Sequence, residues 1–174
     1  MEGNKMRMII HDLPEEQFNF LFPDEIEDIL IVSDDGTINK CIGCFGCWIK
    51  TPGVCVIKDK YKNMGELLSK SEEEIIISKC FYGGFSPFVK NVMDRSISYV
   101  HPYSKRRNGE MHHKPRYDHH IEMKVWFYRE NITDQEKLTA NELIKANSIN
   151  LACNYSGVSY VKDLSEITFN GQEV

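Results

Sequence analysis

The sequence predicts an α/β fold, a doubly wound parallel five-stranded sheet with helices on both faces. Three observations carry this. Short apolar runs alternate with longer amphipathic stretches, the βαβ pattern of a parallel sheet covered by helices. One run, Ile75-Ile76-Ile77, is apolar at consecutive positions, as a strand buried on both faces must be. Turn residues such as Gly83-Gly84 and Pro87 separate the runs from the stretches that follow them.

Residues 6–10 and 28–32 read as the first two strands. Between them, residues 14–22 form a short helix, with Pro14 in its first turn and Phe18, Leu21 and Phe22 at helical spacing. Asp34, Asp35 and Gly36 make a turn, a cysteine-rich segment follows, and residues 61–68 read as a second helix. Residues 74–78 are the central strand. The run Gly83-Gly84-Phe85-Ser86-Pro87 turns into a helix capped by Ser86, with Phe88, Val89, Val92, Met93 and Ile97 on its apolar face. Residues 101–120 hold five of the six histidines and almost no aliphatics, so they read as a polar insertion and not as core. Residues 123–128 alternate as a strand, residues 134–152 form a helix that Thr133 caps, and residues 158–161 are the last strand. With no repeat or linker, residues 1–174 form a single domain, with a cysteine loop at 41–55 and a basic insertion at about 99–120.

Hydrophobic residues at 41% and charged residues at 27% are globular proportions. A chain of this size buries roughly 70% of its unfolded surface without disulfide or metal staples. No run approaches the roughly 18 apolar residues of a membrane span. The net charge of −5 argues against non-specific nucleic-acid binding, which needs an excess of Lys and Arg. Residues 1–7 are polar and lack the apolar core of a secretory signal, so a cytoplasmic location is expected. No Walker loop, Ser-His-Asp order or paired-carboxylate site stands out, which leaves a hydrolase or kinase unsupported.

Four of the six cysteines, Cys41, Cys44, Cys47 and Cys55, lie in one short segment, too local for a disulfide framework. Their spacing is C-x2-C-x2-C-x7-C, and the first three match the close thiolate spacing of cubane iron–sulfur ligation. Gly43 and Gly46 let the backbone curl, and Pro52-Gly53 turns it back so that Cys55 supplies a fourth thiolate. Zinc would accept the same donors, although zinc sites more often come as two separated CxxC knuckles, and free thiols are the third alternative. Cys80 and Cys153 lie on or beside core elements and read as buried, inert thiols.

The segment Cys41-Ile-Gly-Cys44-Phe-Gly-Cys47-Trp48, followed by Pro52-Gly53-Val54-Cys55-Val-Ile-Lys-Asp59, resembles the signature of iron–sulfur flavoproteins and the related NADPH-dependent FMN reductases of the flavodoxin-like superfamily. The resemblance continues through Ser78-Lys79-Cys80-Phe81-Tyr82-Gly83-Gly84-Phe85-Ser86 and Lys90-Asn91-Val92-Met93-Asp94-Arg95, and covers about residues 6–98 well. It implies a flavodoxin-like fold and FMN at the C-terminal edge of the sheet, with Cys80, Phe81, Tyr82, Gly83, Gly84, Phe85 and Ser86 as the candidate flavin contacts, while a [4Fe–4S] cluster on the four cysteines stays one of the three alternatives given by their spacing. It further implies NAD(P)H as electron donor, a small-molecule or protein redox partner, and a homo-oligomer.

The chain departs from that pattern after the first strand. The family has a glycine- and hydroxyl-rich phosphate loop there, whereas this chain has His11-Asp12-Leu13-Pro14-Glu15-Glu16-Gln17. Three carboxylates near a phosphate position would repel the dianion. Two readings follow. Either FMN binds and cations of the insertion, Arg106 and Arg107 foremost, replace the lost loop, or the chain is a flavodoxin-like binding or scaffold module without flavin. The insertion carries five Lys or Arg residues against two acids. It would clamp a phosphate, cross a dimer interface, bind a metal through its histidine pairs, or simply be a solvated loop. Asp94 and Arg95 match a family motif but read as ion-pair or capping residues and not as catalysts.

Overall fold

The computed structural model describes residues 6–23, 28–107 and 109–168. Residues 1–5, most of the polar N-terminus noted above, and Asn108 of the basic insertion lie outside them.

The elements follow as β1 (Arg7–His11), α1 (Glu15–Leu21), β2 (Ile29–Ser33), α2 (Gly46–Ile49), α3 (Met64–Ser69), β3 (Glu73–Lys79), α4 (Pro87–Arg95), β4 (Val100–Arg107), β5 (Glu110–Pro115), β6 (Glu122–Tyr128), α5 (Asp134–Leu151) and β7 (Asn154–Val161). A 3-10 turn at Ser96–Tyr99 joins α4 to β4, and another at Leu164–Glu166 follows β7. Five strands form a parallel sheet in the order β2-β1-β3-β6-β7. This is the flavodoxin-like order, whose direction of winding reverses between β1 and β3, the crevice where open α/β sheets take ligands.

Side chains alternate along each strand, and this splits the core in two. Met8, Ile10, Ile76, Val125 and Phe127 face α3, α4 and α5, whose Met64, Leu68, Val89, Val92, Ala140 and Ile144 are fully buried. Ile9, Ile75, Ile77 and Trp126 face the other way, against Leu21 and Phe22 of the α1 region and Ile167. Each large aliphatic so buried contributes about 1.5–3 kcal/mol. Both expected caps form: Ser86 Oγ accepts from Val89 N–H, and Thr133 makes a reciprocal capping box with Glu136.

Three expectations need correction. The polar insertion is not the solvated loop that is one of its readings: β4 and β5 form an antiparallel hairpin with polar side chains on both sides. The second helix starts at Met64, three residues late, because Tyr61 folds into a turn where its hydroxyl donates to Ser33 O at 2.7 Å. The last strand runs from Asn154, because the exposed residues 154–156 and Gly157, at φ +126°, continue the edge pairing past a bulge opposite Met123 and Lys124.

Candidate functional site

The cysteine segment is shaped by close backbone approach. A Cβ on Gly46 would lie 2.5 Å from Val56 Cγ1, so only glycine lets α2 settle on the chain beside Cys55. Gly43 and Gly53 take positive φ as the curl requires, and Phe45 takes a left-handed φ of +54° at the start of α2. Gly53 N–H donates to Cys47 O at 2.9 Å, and Cys55 N–H donates to Lys62 O at 2.9 Å.

Both ends of the segment are tied to the end of α4. Arg95 donates to Asn39 O at 2.8 Å and to both carboxylate oxygens of Asp59, while Trp48 Nε1–H donates to Val100 O at 2.9 Å. Arg95 is thus the ion-pair residue its sequence position suggested, and Asp94 pairs with Lys90. The Arg95 guanidinium also faces the Cys55 thiol.

All four cysteines line one cavity of about 620 Å³, between their loop and the groove of α4 and α5. Its opposite wall includes Phe85, Met93, Ile97, Leu143 and Leu151, and the Lys90–Asp94 pair borders it. Cys47 is buried, Cys55 half-buried, and Cys41 and Cys44 exposed. Burial pushes the Cys47 thiol up, and neighbouring Cys55, Cys41 and Cys44 push it further. Among the described residues no three His, Cys, Asp or Glu side chains converge as a single metal ion requires. Zinc at about 2.3 Å from each sulfur would need that convergence. An iron–sulfur cluster gives each thiolate its own iron, so thiols set around a space, as here, fit a cluster better than one ion.

The loop after β3 reaches the same cavity. Phe81 and Gly84 exchange backbone hydrogen bonds at 2.9 and 2.8 Å, closing a turn with positive φ at Tyr82 and Gly83. A Cβ on Gly83 would lie 2.6 Å from Glu136 O, so the turn docks on the first turns of α5. Arg129 holds it there, donating to Cys80 O at 3.1 Å and pairing with Glu136. Gly84 and Phe85 line the cavity, Cys80 is buried beneath it, and Phe81 and Tyr82 present exposed rings.

Arg106 and Arg107 lie on the β4–β5 hairpin. Arg107 donates to Ile149 O at 2.8 Å, at the far end of α5, and Arg106 is exposed on the hairpin opposite Met111. The thirteen residue steps of helix from Glu136 to Ile149 span about 20 Å. Of residues 80–86 the structure places Gly84 and Phe85 on the cavity that the cysteines line, and Arg107 bonds α5 between Asn147 and Asn150 of the same cavity, well away from the turn at residues 81–84.

At the β1/β3 crevice the Asp12 carboxylate accepts a bifurcated hydrogen bond from Lys79 N–H, at 3.0 and 3.2 Å to its two oxygens, with the Ser86 and Tyr128 side chains close by. Burial pushes its carboxyl up, and these donors oppose the shift. Beside it, His11 stacks on Phe18 at 4.2 Å and accepts from Leu13 N–H at 3.2 Å. Residues arranged this way do not fit the phosphate of FMN. The sequence showed Asp12 only as a repulsive charge, since nothing local announces a bond to a residue 67 positions away.

Among curated proteins, an iron–sulfur flavoprotein of Methanocaldococcus jannaschii is 32% identical over 95 residues, which are 55% of this chain and 46% of that protein. An iron–sulfur flavoprotein of Archaeoglobus fulgidus is 32% identical over 109 residues, 62% of this chain and 46% of that protein. The chain thus matches about half the length of these relatives. No protein-family model matches it. Among solved structures, an NADPH-quinone reductase from P. pentosaceus superposes with a TM-score of 0.55 at 12% identity, covering 90% of this chain and 84% of that one. General stress protein 14 of Treponema denticola, in complex with FMN, gives a TM-score of 0.53 at 8% identity, covering 92% of this chain and 87% of that one. The chain resembles iron–sulfur flavoproteins in sequence, and its fold is flavodoxin-like.

Proposed function

We propose that this chain is an electron-transferring oxidoreductase domain of the flavoprotein class, with an iron–sulfur cluster on Cys41, Cys44, Cys47 and Cys55. The observation that carries the reading is that four thiols and the Gly84–Phe85 edge of the β3 loop share one cavity. The names of the two sequence relatives support it. When bound, a cluster would supply one-electron transfer, and a flavin would take the two electrons of one hydride from NAD(P)H and release them singly.

The chain's own residues set the environment. Arg95, buried and paired with Asp59, places positive charge beside Cys55 and offsets the charge of a thiolate set. Trp48 and Phe45, stacked at 5.3 Å, limit water on the α2 side. Phe81 and Tyr82 offer exposed aromatic faces on the loop that borders the cavity, where a flavin ring would lie.

Visible absorption of protein purified without oxygen, before and after addition of NADPH or NADH, tests this. A broad cluster absorption overlaid by flavin bands that bleach with the nicotinamide is the expected result. A colourless protein that stays colourless with added flavin contradicts it. The second reading, a redox or scaffold module without flavin, is favoured by one observation, the Asp12 contacts at the β1/β3 crevice.

A further inference from the structure

The β1/β3 crevice is the ligand position that the sheet order dictates, and an anion seated there needs backbone N–H groups free to receive it. In this chain most of the N–H groups on the Asp12 side of the crevice are already engaged. Lys79 N–H goes to Asp12, Leu13 N–H to His11 Nδ1, and Ser86 N–H to Ser78 Oγ at 2.9 Å. Cys80 N–H goes to Tyr128 O at 3.1 Å, and Phe81 and Gly84 bond each other. The Ser86 and Tyr128 side chains lie close to the same Asp12 carboxylate. Helix α1, with seven residues and Glu15 and Glu16 in its first turn, adds no anion-binding end.

We propose that Asp12 is a built-in carboxylate that takes the place of a ligand phosphate and latches β1 to β3, so that the chain accepts an uncharged planar ring and excludes the phosphate of FMN from the crevice. One internal negative charge satisfies the donors that a phosphate would use, and it repels a second anion brought to the same point. The open cavity lies instead under the cysteines, reached past Gly84 and Phe85. The ligand part of this inference rests on the flavin reading above, whereas the latch itself does not.

Two variants test it. Asp12→Asn keeps the shape and removes the charge, and Asp12→Ser vacates the position and offers a hydroxyl. The first readout is the amide resonance of Lys79 during titration with inorganic phosphate. In the wild type it stays unmoved at millimolar phosphate, and in Asp12→Ser it shifts saturably. The second readout is the ratio of riboflavin to FMN dissociation constants. The wild type binds FMN no tighter than riboflavin, and the ratio moves about tenfold towards FMN in Asp12→Ser, less in Asp12→Asn. A saturable phosphate shift in the wild type overturns the proposal. So does FMN binding tenfold tighter than riboflavin in the wild type, or the absence of any phosphate response in both variants. If the phosphate titrations behave as expected while no protein binds either flavin, the latch stands and the flavin reading falls.

Discussion

Arg95 and Asp59 meet through two parallel hydrogen bonds, Nη1 to Oδ2 at 2.8 Å and Nη2 to Oδ1 at 2.7 Å, with side chains 0% and 6% exposed. This pair fixes the cysteine segment to α4. The charges are complementary and bidentate, so each satisfies the other away from water.

Removing one partner strands the other. Asp59→Ala leaves a buried guanidinium without its counterion and should cost about 3–5 kcal/mol in denaturant unfolding. The Arg95 guanidinium holds the Asp59 carboxyl well below the usual carboxylate range. A depressed folded pKa means that the pair's contribution is present above about pH 4, the unfolded value, and is lost as pH falls below it. Acid titration of the wild type and Asp59→Ala should therefore converge at low pH, and parallel curves would remove the pair from the account.

Gly46→Ala places a methyl group against Val56, whose nearest atom would be 2.5 Å away. Overpacking of this kind costs about 1–3 kcal/mol. Adding Val56→Ala should restore stability, because it removes the obstructing atoms. A Gly46→Ala protein as stable as the wild type would show that α2 has room to move.

Glu74, on β3, is fully buried, with no hydrogen-bond partner on either carboxylate oxygen among the described residues, and burial raises its pKa to about 8. Since the folded value lies above the unfolded one, the stability attached to its neutral form is complete below about pH 4 and declines as pH rises towards 8. Relative to Glu74→Gln, the wild type should lose up to about 1.4 kcal/mol per pH unit across that window. A pH-independent difference between the two proteins would contradict this.

His11 acts in the opposite sense. Burial lowers its pKa to about 4, so its contribution is present above about pH 6.5 and is lost as pH falls towards 4. His11→Gln, compared with the wild type by denaturation at pH 7 and pH 4.5, should lose its disadvantage at the lower pH. A disadvantage that grows on acidification would refute the assignment.

The sheet was legible where burial dictates residue type. Ile75, Ile76 and Ile77 can belong only to an interior strand, and Ser86 and Thr133 announce helix starts through local hydrogen bonding. The hairpin of β4 and β5 was not legible, because its residues are almost all polar, including the partly buried His112 and His113 that face the body of the domain, and carry no apolar alternation. The cysteine spacing pointed to a shared site, and the structure places all four thiols on one cavity. The separation of Arg106 and Arg107 from residues 80–86 follows from the length of α5 and from where the hairpin docks on it. Neither is encoded near those arginines.

The central claim is that the four clustered cysteines hold an iron–sulfur cluster. It is tested most directly by iron and acid-labile sulfide analysis of anaerobically purified or reconstituted protein, wild type against Cys44→Ser, with circular dichroism as the check on folding. The account predicts about four iron and four sulfide per wild-type chain, both lost together in a folded Cys44→Ser protein. A wild type without sulfide, or a Cys44→Ser protein with undiminished iron, would contradict it.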